Sequence, residues 1–391
     1  MIMKKLTKKL GTLTLSFVLT LGAFTVQSSQ VSAVNFTDGN GVKCNVKSLI
    51  NESGAGDCTA IVIGSNKIVI DAGKEKGDSK LKHLTEDSRF ITTSAYKKVK
   101  KGVYKRTKTF TIDHLVLTHS HEDHLGGLES IDNGWTEEDV LVKKKDGNKY
   151  YEDRKCVVKN LHYNGVHTDI AGEEGSCYVW NFVANTGVKN FYIYPALNAN
   201  NVIESDTKWD FRDIKQHNKN VNLVYEKSQI KYIPLSGTNC NLQLVPAIDS
   251  YTGLAAPWNE NDSSMSAIIY DKSLEYKLIF PGDIGGRAIK KINNDTGSLH
   301  FSFTGYNSSN KPFKKVYIKA PHHGKFTGFV PAHEGQDYAN DFQLFYTNTV
   351  KPTKIVGTIW GGTSGKADDG ITYYTNHLPN FASYRLDTWG N

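Results

Sequence analysis

Apolar residues in this chain are gathered into short, dense runs punctuated by glycine and asparagine. Ile61-Val62-Ile63, Ile68-Val69-Ile70, Leu115-Val116-Leu117, Phe191-Tyr192-Ile193-Tyr194, Leu223-Val224-Tyr225 and Val316-Tyr317-Ile318 are such runs, and residues 240–245, 265–270, 276–280 and 354–359 hold others. Runs this short, closed by turn-forming residues, predict many strands with a few helices between them, hence an α/β protein. One stretch differs. Leu10 to Val26 carries no charge and follows Lys4, Lys5, Lys8 and Lys9, with Val31-Ser32-Ala33 after it. A basic start, an apolar middle and a small-residue ending have the form of a secretory signal peptide, here cleaved after Ala33, so a secreted, extracellular protein is expected. That stretch is short for a membrane span and no later run is longer, so no stable span is expected after processing. Residues 34–391 hold no repeat and no linker rich in proline or serine, and they are read as a single domain. Residues from about 135 to 230 are more polar, rich in Tyr, Asn and Lys, and are expected as an insertion over the site.

The chemistry is concentrated in Thr118-His119-Ser120-His121-Glu122-Asp123-His124-Leu125-Gly126-Gly127. Three imidazoles and two carboxylates leave the end of an apolar strand within six residues. Alternate residues of an extended chain point the same way, so His119 and His121 converge on one ion, and Asp123 and His124 can hold a second. Further along, Phe280-Pro281-Gly282-Asp283 ends another strand in a glycine turn that presents an aspartate. That carboxylate either bridges two cations or caps a helix starting near Arg287. Pro321 stops a third strand just before His322-His323, and at least one of that pair is expected to reach the metal, with His322 favoured.

His-x-His-x-Asp-His resembles the signature of the metallo-β-lactamase superfamily. Gly56-Asp57-Cys58 and Ile70-Asp71-Ala72-Gly73 precede it, while Asn261-Asp262-Ser263-Ser264-Met265, Phe280-Pro281-Gly282-Asp283 and Lys319-Ala320-Pro321-His322-His323-Gly324 follow in that order. The series is similar to the hydrolase domain of ComEC-type competence proteins, from about residue 54 to the closing Tyr374-Thr375-Asn376-His377 and Arg385-Leu386-Asp387. The resemblance implies a four-layer αββα sandwich with one or two divalent ions, Zn or Mn, at one edge of its sheets. His119, His121, Asp123, His124, Asp283 and His322 would be the ligands, with Asp123 also orienting the nucleophile. His323 or His377 would give the leaving group its proton, and Asp71 would hydrogen-bond a ligand histidine. Asn261, Ser263 and Ser264 either donate to a phosphate oxygen or stabilise a turn. Where many relatives have a further histidine ligand, His162, His167 and His217 are the candidates.

Charge and cysteines refine this picture without deciding it. The full chain is formally +7, and four of those positives are the leader lysines, which leaves +3. That is too mild to name a partner, but Lys97, Lys98, Lys100, Lys101, Lys105, Arg106 and Lys108 run without an acid among them, and Lys143-Lys144-Lys145 follows. Such runs are either solvated faces or a means of gathering a phosphate polymer. Five cysteines have no metal-type spacing, and Cys156 with Cys177 could close a loop. The expected function is a secreted metal-dependent hydrolase, a phosphodiesterase or nuclease whose phosphodiester substrate is DNA. The alternatives are a hydrolase of teichoic acid or small phosphoesters and a catalytically silent binding protein.

Overall fold

The computed structural model describes residues 33–49, 57–74, 80–145, 147–164, 170–194, 214–226, 229–246, 261, 264–324, 338–356 and 381–382. The expected leader up to Ser32, and His167, Ser263 and His377, lie outside the described residues. Eleven strands form a first sheet: β1 (Ala33–Thr37), β2 (Lys43–Ser48), β3 (Thr59–Ile63), β4 (Asn66–Ile70), β5 (Ile91–Thr93), β6 (Lys97–Lys100), β7 (Val103–Leu117), β8 (Val140–Lys145), β9 (Asn148–Tyr163), β10 (Gly187–Ile193) and β11 (Asn222–Tyr225). Its main order is β1-β2-β3-β4-β7-β9-β10-β11. Seven form a second, in chain order: β12 (Lys231–Pro234), β13 (Cys240–Val245), β14 (Ser266–Asp271), β15 (Lys277–Phe280), β16 (Val316–Lys319), β17 (Lys354–Val356) and β18 (Phe381–Ala382). Each sheet is antiparallel at one side and parallel at the other, the change falling at β4 in the first and β15 in the second.

The strand runs are apolar at nearly every position because both sheet faces are covered. Ile61, Ile63, Ile68 and Ile70 from the first sheet meet Leu242, Leu244, Ala267, Ile269, Leu278 and Phe280 from the second in one core. Their neighbours face the other way. Val69, Leu115, Leu117, Val158 and Phe191 pack under α1 (Lys80–Leu84), α2 (Glu122–Leu125), α3 (Glu129–Trp135), α4 (Ile170–Asn185) and α5 (Ile214–His217). On the far side Ile268, Ile279, Ile318 and Ile355 pack under α6 (Gly286–Asn294), α7 (Ser298–Phe303) and α8 (Ala339–Leu344). Three cores between four layers make a helix–sheet–sheet–helix sandwich, and each fully buried Ile, Leu or Phe adds about 1.5–3 kcal/mol by leaving water. The faces of α6 show the same logic, with Ala288, Ile289 and Ile292 buried and Lys290 exposed. No helix among the described residues is long and apolar enough to cross a membrane.

Two expectations need correction. The described residues of 135–230 are not an insertion laid over the site: β9 pairs with β7 from Val103↔Lys149 to Leu117↔Tyr163, and β10, β11 and α4 belong to the first sheet and its helix layer. The stretch reads as polar because β8 and the first half of β9 extend past the covered part of the sheet. Cys156 and Cys177 do not close a loop, since no disulfide joins them and Cys156 is buried in the helix-side core.

Candidate metal centre

Four segments reach one edge of the sandwich, each just past the C-terminal end of a parallel strand. β4 delivers Asp71, β7 delivers residues 118–124, β15 delivers Asp283, and β16 delivers Lys319 and His323. Carboxyl ends of parallel strands are where side chains from separate segments can converge without blocking the sheet. Backbone bonds lock the segments together: Asp71 N–H donates to Val116 O at 2.8 Å, Asp57 N–H to Asp123 O at 3.0 Å and Met265 N–H to Thr118 O at 2.7 Å. The glycine pair closing the histidine run has a packing reason, because a Cβ on Gly127 would stand 2.0 Å from Ala72 O. Gly282 has φ +69°, and a Cβ there would press on Ser264 and Thr118, so only glycine lets the chain turn and aim Asp283 inward.

Asp71 is the organising carboxylate. It takes up the left-handed conformation at φ 57°, which aspartate tolerates. One oxygen accepts the Thr118 N–H at 2.8 Å, and the other accepts the Thr118 hydroxyl at 2.9 Å and His124 Nδ1 at 2.8 Å. Because Thr118 gives its proton to Asp71, its oxygen accepts from His119 Nδ1, 3.1 Å away. Both imidazoles are thereby fixed with Nε2 facing the site. The ring centroids of His119 and His124 are 4.0 Å apart, and those of His119 and His121 4.9 Å.

Asp57 plays the corresponding part for His323. Its Oδ1 lies 3.4 Å from His323 Nδ1, while His323 Nε2 stands 3.2 Å from Asp123 Oδ2 and 3.2 Å from Asp283 Oδ2. The other Asp57 oxygen is paired with the ammonium of Lys319, which also reaches Asp283 Oδ1 at 3.6 Å. His124 Nε2 faces the same Asp283 oxygen at 3.3 Å. Burial drives these groups toward neutrality, but their neighbours win. Asp283 and Asp57 hold the His323 imidazole up at about 10, and Asp283 with Asp71 holds His124 well above the ordinary histidine range. Burial also opposes the charge on Asp283, yet His323, His124 and Lys319 keep its carboxyl well below the usual range. His119 goes the other way, pushed well down by burial and by His124, so it stays neutral, and a cation held here would take the place of the protons on His124 and His323.

A cation fits this donor set. His119 Nε2, His124 Nε2 and Asp283 Oδ1 are buried with no hydrogen-bond partner among the described residues. Asp57, His124, Asp283 and His323 each offer a ligand atom within 4.8 Å of the others. Asp38, Cys240 and Asp271 form a second such group, but its carboxylates are occupied by backbone and side-chain donors: Asn239 N–H donates to Asp38 at 2.7 Å, and Asn239 Nδ2 to Asp271 at 2.8 Å. Of the two, only the first brings buried imidazole nitrogens to carboxylate oxygens that lack a hydrogen bond among the described residues.

The structure therefore brings together His119, His121, Asp123, His124, Asp283 and Asp71. Of the histidine pair it is His323, favoured as the proton donor from sequence, that stands among the carboxylates. His322, favoured as the ligand, is half-buried with its N–H 3.4 Å from Gly282 O. The physical reason is backbone conformation: both residues have positive φ, 48° and 56°, so the chain coils left-handed after Pro321 and swings the second ring inward. Asp283 caps no helix, since α6 begins after Gly285 without a side-chain cap. Ser264 is fully buried and its hydroxyl accepts the Asp283 N–H at 3.1 Å, a turn-holding part; Asn261 accepts the Ser264 N–H at 3.0 Å. His162 stands away from the centre, between His114 Nδ1 and the Tyr194 hydroxyl at 3.2 Å each, and His217 is exposed against Trp180. Sequence reasoning missed Asp57 and Lys319 as members of the site. The available signal was a charged residue abutting an apolar strand at each place, Asp57 before β3 and Lys319 ending β16.

The family model of the metallo-beta-lactamase superfamily matches residues 52–185. This segment belongs to the metallo-beta-lactamase superfamily. It contains Asp57, Asp71 and the whole histidine run, and with the cluster of Asp57, His124, Asp283 and His323 it describes the centre of a metal-dependent hydrolase. Among solved structures the chain is similar to the metallo-beta-lactamase fold protein YhfI from Bacillus subtilis, with 10% identity over 88% of this chain and 98% of that one and a TM-score of 0.39. It is similar as well to unliganded yeast PDE1, at 11% identity over 85% of this chain and 94% of that one with a TM-score of 0.37. The short form of human tRNase Z gives 10% identity, 80% and 91% coverage and a TM-score of 0.36. No curated protein matches the chain.

Proposed function

We propose that this protein is an exported, metal-dependent phosphodiesterase that cleaves DNA. The observation that carries the reading is the facing of His119 Nε2, His124 Nε2 and Asp283 Oδ1, buried and without a hydrogen bond among the described residues, beside the carboxylate of Asp123. His119, His121, His124, Asp123, Asp283 and His323 would hold one or two divalent cations, Zn or Mn, in a set of nitrogen and oxygen donors suited to both. When bound, such ions acidify water and neutralise the oxygens of an in-line displacement at phosphorus. The chain's own residues do the rest. Asp71 and Asp57 fix the tautomers and aim of His124 and His323, and Lys319 adds a buried positive charge beside Asp283. Asp123 accepts a hydrogen bond from the attacking water and sets its direction. His322, half-buried next to the cluster, gives a proton to the departing alkoxide. Export is supported by the leader-like sequence, and DNA by the order of the downstream segments.

The test is to strip the mature protein of metal, restore Mn or Zn, and offer linear and circular double-stranded DNA, single-stranded DNA and RNA, with Asp283→Asn and Asp123→Ala as controls. Metal-dependent cleavage of DNA by the parent and not by the controls is expected. Equal activity in Asp283→Asn would overturn the assigned centre. Inert DNA with metal demonstrably bound would move the substrate to teichoic acid or a small phosphoester.

A further inference from the structure

Sequence order sets the lysine runs beside the histidine run, but strand geometry sets them far apart. His119 follows the C-terminal end of β7, and Lys105, Arg106 and Lys108 lie near its other end. At about 3.3 Å per residue, Tyr104 is about 40 Å from Leu117. Here β7 and β9 outrun the sheet: β4 meets β7 only at residues 114–116, and β10 meets β9 only from Val157 onward. The projecting halves pair with each other and with β6 and β8, giving a four-stranded arm in the order β6-β7-β9-β8.

The arm is where the charge of the protein is concentrated. Residues 96–108 and 140–155 hold thirteen lysines and arginines against three acids, a net of +10. Since residues 34–391 together are +3, everything outside the arm is net −7. The arm's described acids are already engaged, Glu152 by Arg106 at 2.7 Å and Arg154 at 3.4 Å, and Asp153 by Lys105 at 3.2 Å. Lys97, Lys98, Lys143, Lys144, Lys145 and Lys149 are exposed. Beneath them is an aromatic floor: Tyr104 and Tyr150 stack at 5.0 Å and 14°, Lys143 lies 4.7 Å over the Tyr150 ring, and Arg106 lies 4.7 Å over Tyr96. Those ring faces are taken up by one another and by cations, which stiffens the arm and leaves little room for stacking of nucleic-acid bases. Lysines on edge strands also deter strand pairing, but Lys149 is on β9 between Val103 of β7 and Lys144 of β8, in the interior of the arm.

We propose that the arm is a docking surface for the phosphate backbone of double-stranded DNA, remote from the metal centre. The proposal rests on the DNA phosphodiesterase reading for its purpose, while the binding itself is measured without catalysis. Cations aimed at phosphates give affinity without sequence preference, and a duplex held at both places gains avidity. At 3.4 Å per base pair the separation corresponds to about twelve base pairs, so only longer substrates profit from the arm.

The experiment compares the parent with the variant Lys97→Gln, Lys98→Gln, Lys144→Gln, Lys145→Gln, each as full mature chain. In the metal-free Asp283→Asn background, fluorescence anisotropy with a 40-base-pair duplex should show Kd raised at least tenfold by the four substitutions. The slope of log K against log salt should fall by about three to four. In the metal-loaded active form, kcat/KM should drop for 40 base pairs, and hydrolysis of eight base pairs and of bis(p-nitrophenyl) phosphate should be unchanged, which also shows that the variant is folded. Unaltered Kd and slope would overturn the proposal, as would tighter binding of single-stranded DNA or equal competition by poly(glycerol phosphate). Arm-dependent DNA binding without metal-dependent DNA cleavage would sink the reading of DNA as the substrate and leave the arm standing.

Discussion

At the residue scale the centre depends on buried carboxylates that never need to touch an ion. Asp57 and Lys319 are a fully buried pair, each about 4% exposed, and between them they fix His323 and Asp283. Removing one partner strands the other's charge away from water. Lys319→Met alone and Asp57→Asn alone should each cost about 3–5 kcal/mol in urea unfolding of the metal-free protein, and the double variant should recover most of the loss. Additive losses would show that the two charges are not coupled. His119, His121, Asp123 and His124 were legible from sequence because their spacing alone forces convergence. Asp57 was not, because nothing local to Gly56-Asp57-Cys58 says that residue 319 will arrive beside it.

At the element scale, strands buried on both faces leave no dry place for a charge, yet β15 begins with one. Lys277 is buried, and its ammonium donates to Thr304 O at 2.6 Å and Phe301 O at 3.3 Å at the end of α7. Burial pulls its pKa from 10.5 down to about 7. A lysine with a lowered folded pKa binds fewer protons in the folded chain than in the unfolded one between those values. Stability therefore rises with pH through that window. The parent should gain stability relative to Lys277→Met between pH 7 and pH 9.5, by about 3 kcal/mol at most, in paired urea titrations. A constant difference across that range would mean that Lys277 keeps its proton. The strand runs themselves were readable because covered sheets demand apolar residues at every position. The extent of β7 and β9 was not, since their outer halves are polar and look like loop sequence until the two are paired.

At the scale of the whole molecule, four strand ends from two sheets meet at the centre, so metal binding and folding are linked. Zn or Mn at a hundredfold excess over its Kd should stabilise the folded chain by about 2.7 kcal/mol in thermal unfolding, reversed by chelation and lost in Asp283→Asn. An equal rise in the variant would put the ion elsewhere. By itself the sequence determined the class of fold, the strand runs and the imidazole and carboxylate types of the centre, because short-range pattern fixes which residues must be buried and which must bind. Only the tertiary structure decided that His323 rather than His322 enters the carboxylate cluster, through two successive left-handed residues. It likewise decided that Asp57 and Lys319 complete the site, and that the lysine runs stand about 40 Å from it. Those depend on strand register and direction, which set distances across the fold that neighbouring positions along the chain do not encode.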